Sequence, residues 1–398
     1  MAAFSLRVPG HIHYGEQAFQ ILGEEASKFG NKALIVSDHI MEKLGYVQES
    51  INLLENAGVT PFTFLGIESE PTDEYVKEAL NRVKKHQVDV VIAVGGGSCI
   101  DTAKAVAVLA TNGGSISEYM GNKRLVTQDS LPLIAVPTTA GTGSEATDVT
   151  VITNTSNDVK MMIKQPAFLP DVALVDPYLS ATSPKGITAS TGIDALTHAI
   201  EAYISKRAHA FTDTLAREAI QLIMGSLRQA YNHGEDLTAR GNMAYGAMLA
   251  GAAFSNASVC LVHGMSRPIG ALFHVPHGIS NAMLLPAVLE YSKDHCKERL
   301  AEICSLLYPE MKKESDEISA DYLVAEIKQL CSDLDIPNLK GWGIDQNAFE
   351  NALNKMATDA LQSGSPQNNP RVPNHEEIME LYQVCFDYDF TCKQKSIS

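Results

Sequence analysis

Short, almost continuously apolar runs alternate with amphipathic stretches through the first half of the chain. The runs at 32–37, 60–65, 88–94, 133–137 and 173–176 are rich in β-formers, and the one at 88–94 leads directly into three glycines. So little polar interruption suits parallel strands covered on both faces. Between the runs, 40–57 and 74–86 carry helical periodicity. Strand–helix–strand alternation of this kind predicts a doubly wound parallel sheet whose ligand lies at the carboxyl ends of the strands. The pattern changes near 182–184. From there the periodicity is helical, over 189–205, 212–232, 236–255, 279–291, 297–307, 319–334, 345–359 and 375–388, with no strand expected. Residues 361–373, in which Ser, Gly, Pro and Asn cluster, read as a surface loop, and 391–398 as a frayed tail. The expected organisation is therefore an α/β nucleotide-binding domain over 1–184 followed by an all-α domain over 185–398, without internal repeats.

The length of 398 residues supports that division, because single cores stop growing well below it. Thirty-one basic residues against 47 acidic ones give a net charge of −16, which argues against nucleic acid or an anionic membrane as partner. No run approaches the ~18 apolar residues of a membrane span, and the first residues lack the pattern of a signal peptide. The expected location is the cytoplasm. Seven scattered cysteines without CxxC pairing read as reduced thiols in packing roles.

Two groups of residues carry chemistry. Gly95, Gly96, Gly97 and Ser98 stand where a buried strand passes into a helix, so backbone amides and the helix N-terminus can cradle phosphate. Asp38, at the end of the first of these strands, is placed either to bind an adenosine ribose, favouring NAD(H) over NADP(H), or to cap the next helix. A polar cluster including Thr138, Thr139 and Ser144 follows another strand. Lys160 is either a cation for the nucleotide site or surface decoration. The second group is Asp194, His198, His263 and His277. The first two are four residues apart, one turn apart on the same helix face, and the others each precede a glycine. Three imidazoles and a carboxylate suit a borderline divalent ion and leave coordination positions for a substrate oxygen. His274 competes with His277 for the last position, and Cys260 is the thiol nearest in sequence.

Taken together, the glycine loop with Asp101, the 137–145 cluster, the helix Gly-Ile-Asp-Ala-Leu-Thr-His-Ala-Ile-Glu at 192–201 and the 263–278 stretch resemble the iron-containing (group III) alcohol dehydrogenases over nearly the whole chain. The resemblance implies a dehydroquinate synthase-like architecture, with a metal held between an α/β domain and a helical domain. It implies Asp194, His198, His263 and His277 as ligands of one divalent ion, Fe(II) first, with Zn(II) or Mn(II) as alternatives. It also implies NAD(H) contacts from Asp38, Gly95, Gly96, Gly97, Ser98, Asp101, Thr138, Thr139, Ser144, Lys160 and Leu179, and a homodimer or larger assembly. The implied activity is hydride transfer between NAD(H) and a short-chain alcohol or aldehyde. A sugar-phosphate cyclase of the dehydroquinate synthase type is the alternative, disfavoured by the shortage of basic residues near the ligands. Two departures from the family pattern stand out. Glu70 precedes Pro71-Thr72 where members often carry Asn, and Arg267 replaces a histidine found in many members four residues after the third ligand. An arginine there cannot relay a proton but can pair with an anionic aldehyde bearing a carboxylate, sulfonate or phosphonate.

Overall fold

The computed structural model describes residues 4–157 and 159–391, so most of the expected tail lies outside the described residues. Its strands are β1 (His11–Tyr14), β2 (Lys32–Val36), β3 (Thr60–Phe64), β4 (Val90–Gly95), β5 (Leu133–Pro137), β6 (Val149–Asn154), β7 (Val159–Lys164) and β8 (Val172–Val175). Six of them form one wholly parallel sheet in the order β1-β8-β5-β4-β2-β3. Helices α1 (Leu22–Ser27), α2 (His39–Lys43), α3 (Tyr46–Asn56), α4 (Asp73–His86), α5 (Gly97–Asn112) and α6 (Pro177–Ser180) connect and flank it.

The continuous apolar runs follow from the two-sided cover. In β4, Val91 and Ala93 face a core shared with α4 and α5, while Val90, Ile92 and Val94 face one shared with α1, α3 and α6. Side chains alternate across the sheet, so burial on both faces leaves no polar positions. The sheet reverses its strand order between β2, which leads to β3, and β4 on its other side. A crevice opens at the carboxyl ends of such a switch point, and both Asp38 and the glycine turn stand there.

Three expectations need correction. The helix expected over 40–57 is two, α2 and α3, broken at Gly45, whose φ of 88° is left-handed. Edge strand β1 and the antiparallel hairpin β6–β7 are additional; each is short, and the hairpin stands apart from the main sheet. The 361–373 segment is no simple surface loop. Ser365, Pro366 and Asn369 are buried, and Asn369 Nδ2 donates to Ser292 Oγ at 2.9 Å.

Beyond Pro184 the described residues contain no strand. The helices are α7 (Lys185–Ile204), α8 (Ala210–Asn232), α9 (Leu237–Ala257), α10 (Leu261–Phe273), α11 (His277–Ser292), α12 (Lys297–Leu307), α13 (Asp316–Asp333), α14 (Leu339–Trp342), α15 (Gln346–Gln362) and α16 (His375–Phe386). They share one large apolar core, to which Ala173 and Val175 of β8 also contribute. The halves meet closely at Gly143 and Gly251, where a Cβ on Gly251 would lie 2.4 Å from the Gly143 carbonyl oxygen. A larger side chain there would push the two backbones apart. No single described helix is long and apolar enough to cross a membrane.

Candidate active site

Helix α7 lies in the core, and its Asp194 and His198 are 1% and 5% exposed. Helix α10 brings His263, 2% exposed, and α11 begins at His277. The four side chains converge, with one ligand atom from each within 4.8 Å of all the others. Asp194 Oδ1 lies 3.9 Å from His198 Nδ1, 3.6 Å from His263 Nε2 and 4.0 Å from His277 Nε2.

The paired His-Gly motif acquires a physical reason here. A Cβ on Gly264 would lie 2.8 Å from Pro366, and one on Gly278 2.8 Å from the Ser190 carbonyl oxygen. Both glycines let a ligand-bearing helix seat closely against its neighbour. His274 caps α10 in a left-handed conformation (φ 54°) and is exposed, outside the cluster that His277 joins. Cys260 is outside it too, its thiol directed at the carbonyls of Glu201 and Asn368 and pushed well up by burial.

Glu201, one turn beyond His198 on α7, was not anticipated as part of the site. Its buried carboxylate accepts hydrogen bonds from Cys260 N at 2.8 Å, Val262 N at 2.6 Å and His263 Nδ1 at 2.7 Å. With Nδ1 carrying the proton, His263 turns the lone pair of Nε2 toward the cluster, the arrangement that orients metal-bound imidazoles. Asn281, one turn into α11, was also missed. Its Nδ2 donates to Asp194 Oδ1 at 2.6 Å and stands 3.1 Å from His263 Nε2 and 3.2 Å from His277 Nε2. The spacing 194, 198, 201 and the pair 277, 281 were the available signals: ligands and supports repeat on one helix face.

The electrostatics suit a cation. Burial pushes His198 down to about 3 and His277 down to about 4, so both rings are neutral donors. Burial opposes ionisation of Asp194, but the surrounding imidazoles outweigh it and hold the carboxylate well below its usual range. Burial also opposes charge on His263, yet Glu201 and Asp194 on either side raise it, so a bound ion competes there with a proton. His198 Nδ1 is buried without a hydrogen-bond partner. Such an orphan among acidic and imidazole donors fits a divalent ion.

The nucleotide side is built as a cradle. Gly96 caps α5 without a side-chain bond, so the helix's first amides are available to an anion. A Cβ on Gly95 would lie 2.5 Å from Cys99 Sγ, and one on Gly97 2.8 Å from Thr142 Cγ2. Asp38 takes the capping role: Oδ1 caps α2 through Ile40 N and Met41 N, while Oδ2 lies beside the glycine turn, accepting from Cys99 Sγ at 3.5 Å. Thr138 Oγ1 is buried and unpartnered, and Thr139 packs against Gly96. From Thr139 the loop runs to Gly141, whose backbone acts on the His198 ring, so the cradle loop reaches the metal cluster.

The remaining nucleotide candidates are engaged with protein. Asp101 accepts from Ser144 Oγ at 2.5 Å and Val151 N at 2.8 Å, which ties the polar loop to β6. The Leu179 side chain is fully buried in the core beneath the sheet. Lys160 forms an ion pair with Glu70. This pair rests on the hairpin, because Thr153, opposite Lys160 in the register, bridges to Thr72. Arg267 is half-buried and extends to Met162 of β7, with Nη2 3.2 Å from its sulfur. Among the described residues no carboxylate lies within ion-pair distance of it.

A doubly wound domain with a glycine cradle, facing a helical domain that presents an Asp-His-His-His cluster, defines a class of nucleotide- and metal-dependent enzymes. Residues 9–177 match the family model for iron-containing alcohol dehydrogenase and residues 188–386 that for the Fe-containing alcohol dehydrogenase family, C-terminal. The chain belongs to the iron-containing alcohol dehydrogenase family. It is 39% identical over 387 residues to 1,3-propanediol dehydrogenase of Klebsiella pneumoniae, covering 96% of this chain and 99% of that one. The crystal structure of a 1,3-propanediol oxidoreductase superposes with TM-score 0.93 at 39% identity, covering 97% of this chain and 100% of that one. Sulfoacetaldehyde reductase from Bifidobacterium kashiwanohense, in complex with NAD+, superposes with TM-score 0.86 at 27% identity, covering 98% and 100%. These relatives are oxidoreductases, not sugar-phosphate cyclases.

Proposed function

We propose that this protein is an NAD(H)-dependent alcohol dehydrogenase or aldehyde reductase acting on short-chain substrates, with an anionic aldehyde as its preferred class. The convergence of Asp194, His198, His263 and His277 beside the glycine cradle carries the reading. A divalent ion bound there supplies a Lewis acid for an alcohol or carbonyl oxygen, and NAD(H) supplies the hydride chemistry. The protein's part is orientation and exclusion of water. Glu201 and Asn281 fix the ligand side chains, the cradle amides receive the pyrophosphate, and the domain interface at Gly143 and Gly251 holds the two halves in contact.

Arg267 supports the anionic class. It stands one turn from His263, is desolvated, and has no carboxylate within ion-pair distance among the described residues; Glu201, whose charge acts on it, is already bonded to three other donors. A half-buried, desolvated guanidinium with no carboxylate at ion-pair distance favours a substrate that brings one. The sulfoacetaldehyde reductase relative, whose substrate carries a sulfonate, agrees with that chemistry. The direct test is NADH oxidation with paired neutral and anionic short aldehydes, under Fe(II), Mn(II) and Zn(II) in turn. Arg267→Ala should lower kcat/KM for an anionic aldehyde about 30-fold, corresponding to ~2 kcal/mol, and for a neutral one far less. Equal losses would show that Arg267 only lines the cleft. No NADH oxidation with any aldehyde or metal would overturn the enzymatic reading itself.

Cofactor choice provides a second check. The Asp38 carboxylate would face a 2′-phosphate at close range, so NADH should be preferred over NADPH by a like-charge cost on the order of a few kcal/mol. Asp38→Gly should narrow the ratio of the two kcat/KM values, since glycine at an N-cap costs only about a few tenths of a kcal/mol. Equal efficiency with both cofactors in the unmodified protein would remove Asp38 from the cofactor site.

A further inference from the structure

A second group of ligand-type side chains lies on the outer edge of the sheet. His11 and His13 alternate along β1 and so point to the same face, where α1 places Glu25. His13 Nε2 is 3.2 Å from Glu25 Oε1 and His11 Nδ1 is 3.9 Å from Glu25 Oε2. One ligand atom from each residue lies within 4.8 Å of the other two. Donors bound to a tetrahedral ion at about 2.0–2.2 Å stand roughly 3.3–3.6 Å apart, so the His13 contact at 3.2 Å already has that spacing and the His11 contact at 3.9 Å needs only a small closure.

Two further observations separate this from an ordinary ion pair. Glu25 is 3% exposed, and its Oε2 has no hydrogen-bond partner. His13 Nε2 is likewise buried and unpartnered, although it is near Oε1, so the two groups approach without bonding each other. Lys28 satisfies only Oε1, at 2.7 Å, and is shared with Glu24 at 3.7 Å. A buried carboxylate oxygen left without a donor is costly, and a cation between it and the two imidazoles would remove that cost.

We propose that His11, His13 and Glu25 form a second divalent-cation site, separate from the catalytic ligands and suited to a borderline ion such as Zn(II) or Ni(II). Two imidazoles and one carboxylate are the donor types such ions select, and water completes the coordination. β1 is an edge strand, hydrogen-bonded to β8 on one side only. A cation joining it to α1 closes the 11–25 loop and anchors that edge, so the site acts as a structural clamp.

The test uses untagged full-length protein stripped of metal and titrated with Zn(II), read by calorimetry and by metal content after dialysis. The unmodified protein should bind two equivalents. The double variant His11→Ala/His13→Ala should bind one, with NADH-dependent activity unchanged in the Fe(II)-loaded form. Asp194→Ala should keep the edge-site equivalent, and Zn(II) should still raise its Tm. His13→Gln, which preserves size and polarity, should weaken that equivalent at least tenfold. One equivalent in the unmodified protein, or two retained in the double variant, would overturn the proposal.

Discussion

Asp194→Ala is expected to lower kcat/KM by on the order of 10³-fold or more and to strip the metal from the dialysed protein. Asp194 is the sole carboxylate of the ligand set, and Oδ1 is the atom around which the three imidazoles gather, at 3.6 to 4.0 Å. Its charge offsets the ion's in a largely buried site, and three neutral imidazoles cannot replace that. Loss of the Lewis acid removes several kcal/mol of transition-state stabilisation, each ~1.4 kcal/mol being tenfold in rate. His263→Ala should behave alike, with the fold intact by circular dichroism in both. Full metal occupancy with normal turnover in either variant would show that the ion, and hence the chemistry, lies elsewhere.

Glu201→Ala should show the second-largest effect, on stability and metal affinity together. The carboxylate gathers three donors from the start of α10, two of them backbone amides. Alanine leaves those amides buried without acceptors, each costing about 1–3 kcal/mol, so a total loss near 4 kcal/mol is expected in chemical denaturation. The same change frees the His263 ring to rotate and removes the acceptor that fixes its tautomer. Loss of such a support typically costs ~10–100-fold in metal affinity. A positioning role predicts that saturating metal restores most of kcat while the metal Kd stays raised. If Glu201→Ala destabilises the protein but leaves the metal Kd within twofold, the residue only anchors α10.

The sheet and the shared helix face follow from the chain's local chemistry. Apolar runs at β2, β4 and β5 marked a sheet buried on both faces, because alternation disappears when both faces are covered. The 194/198 spacing marked a shared helix face, since 3.6 residues per turn brings i and i+4 together whatever the surroundings. Neither inference needs information from a distant part of the chain. Segments that are short or depend on remote partners gave no such signal. β1 has four residues and pairs with a strand some 160 positions later, and the β6–β7 hairpin is held to the rest by Thr72 and Asp101.

The site's support depended wholly on tertiary contacts. His274 and His277 are equivalent as residue types three positions apart. Only the left-handed cap at His274 and the start of α11 decide which ring enters the cluster. Glu201 is an unremarkable helical glutamate until α10 delivers two amides and an imidazole to it. Lys160 is taken from the free cations by Glu70, 90 positions earlier in the chain, whereas Arg267 meets a methionine and remains unpaired. Spacing along a helix sets which side chains share a face. What that face meets is decided by packing, because burial and hydrogen-bond satisfaction are properties of the assembled core and not of any local segment.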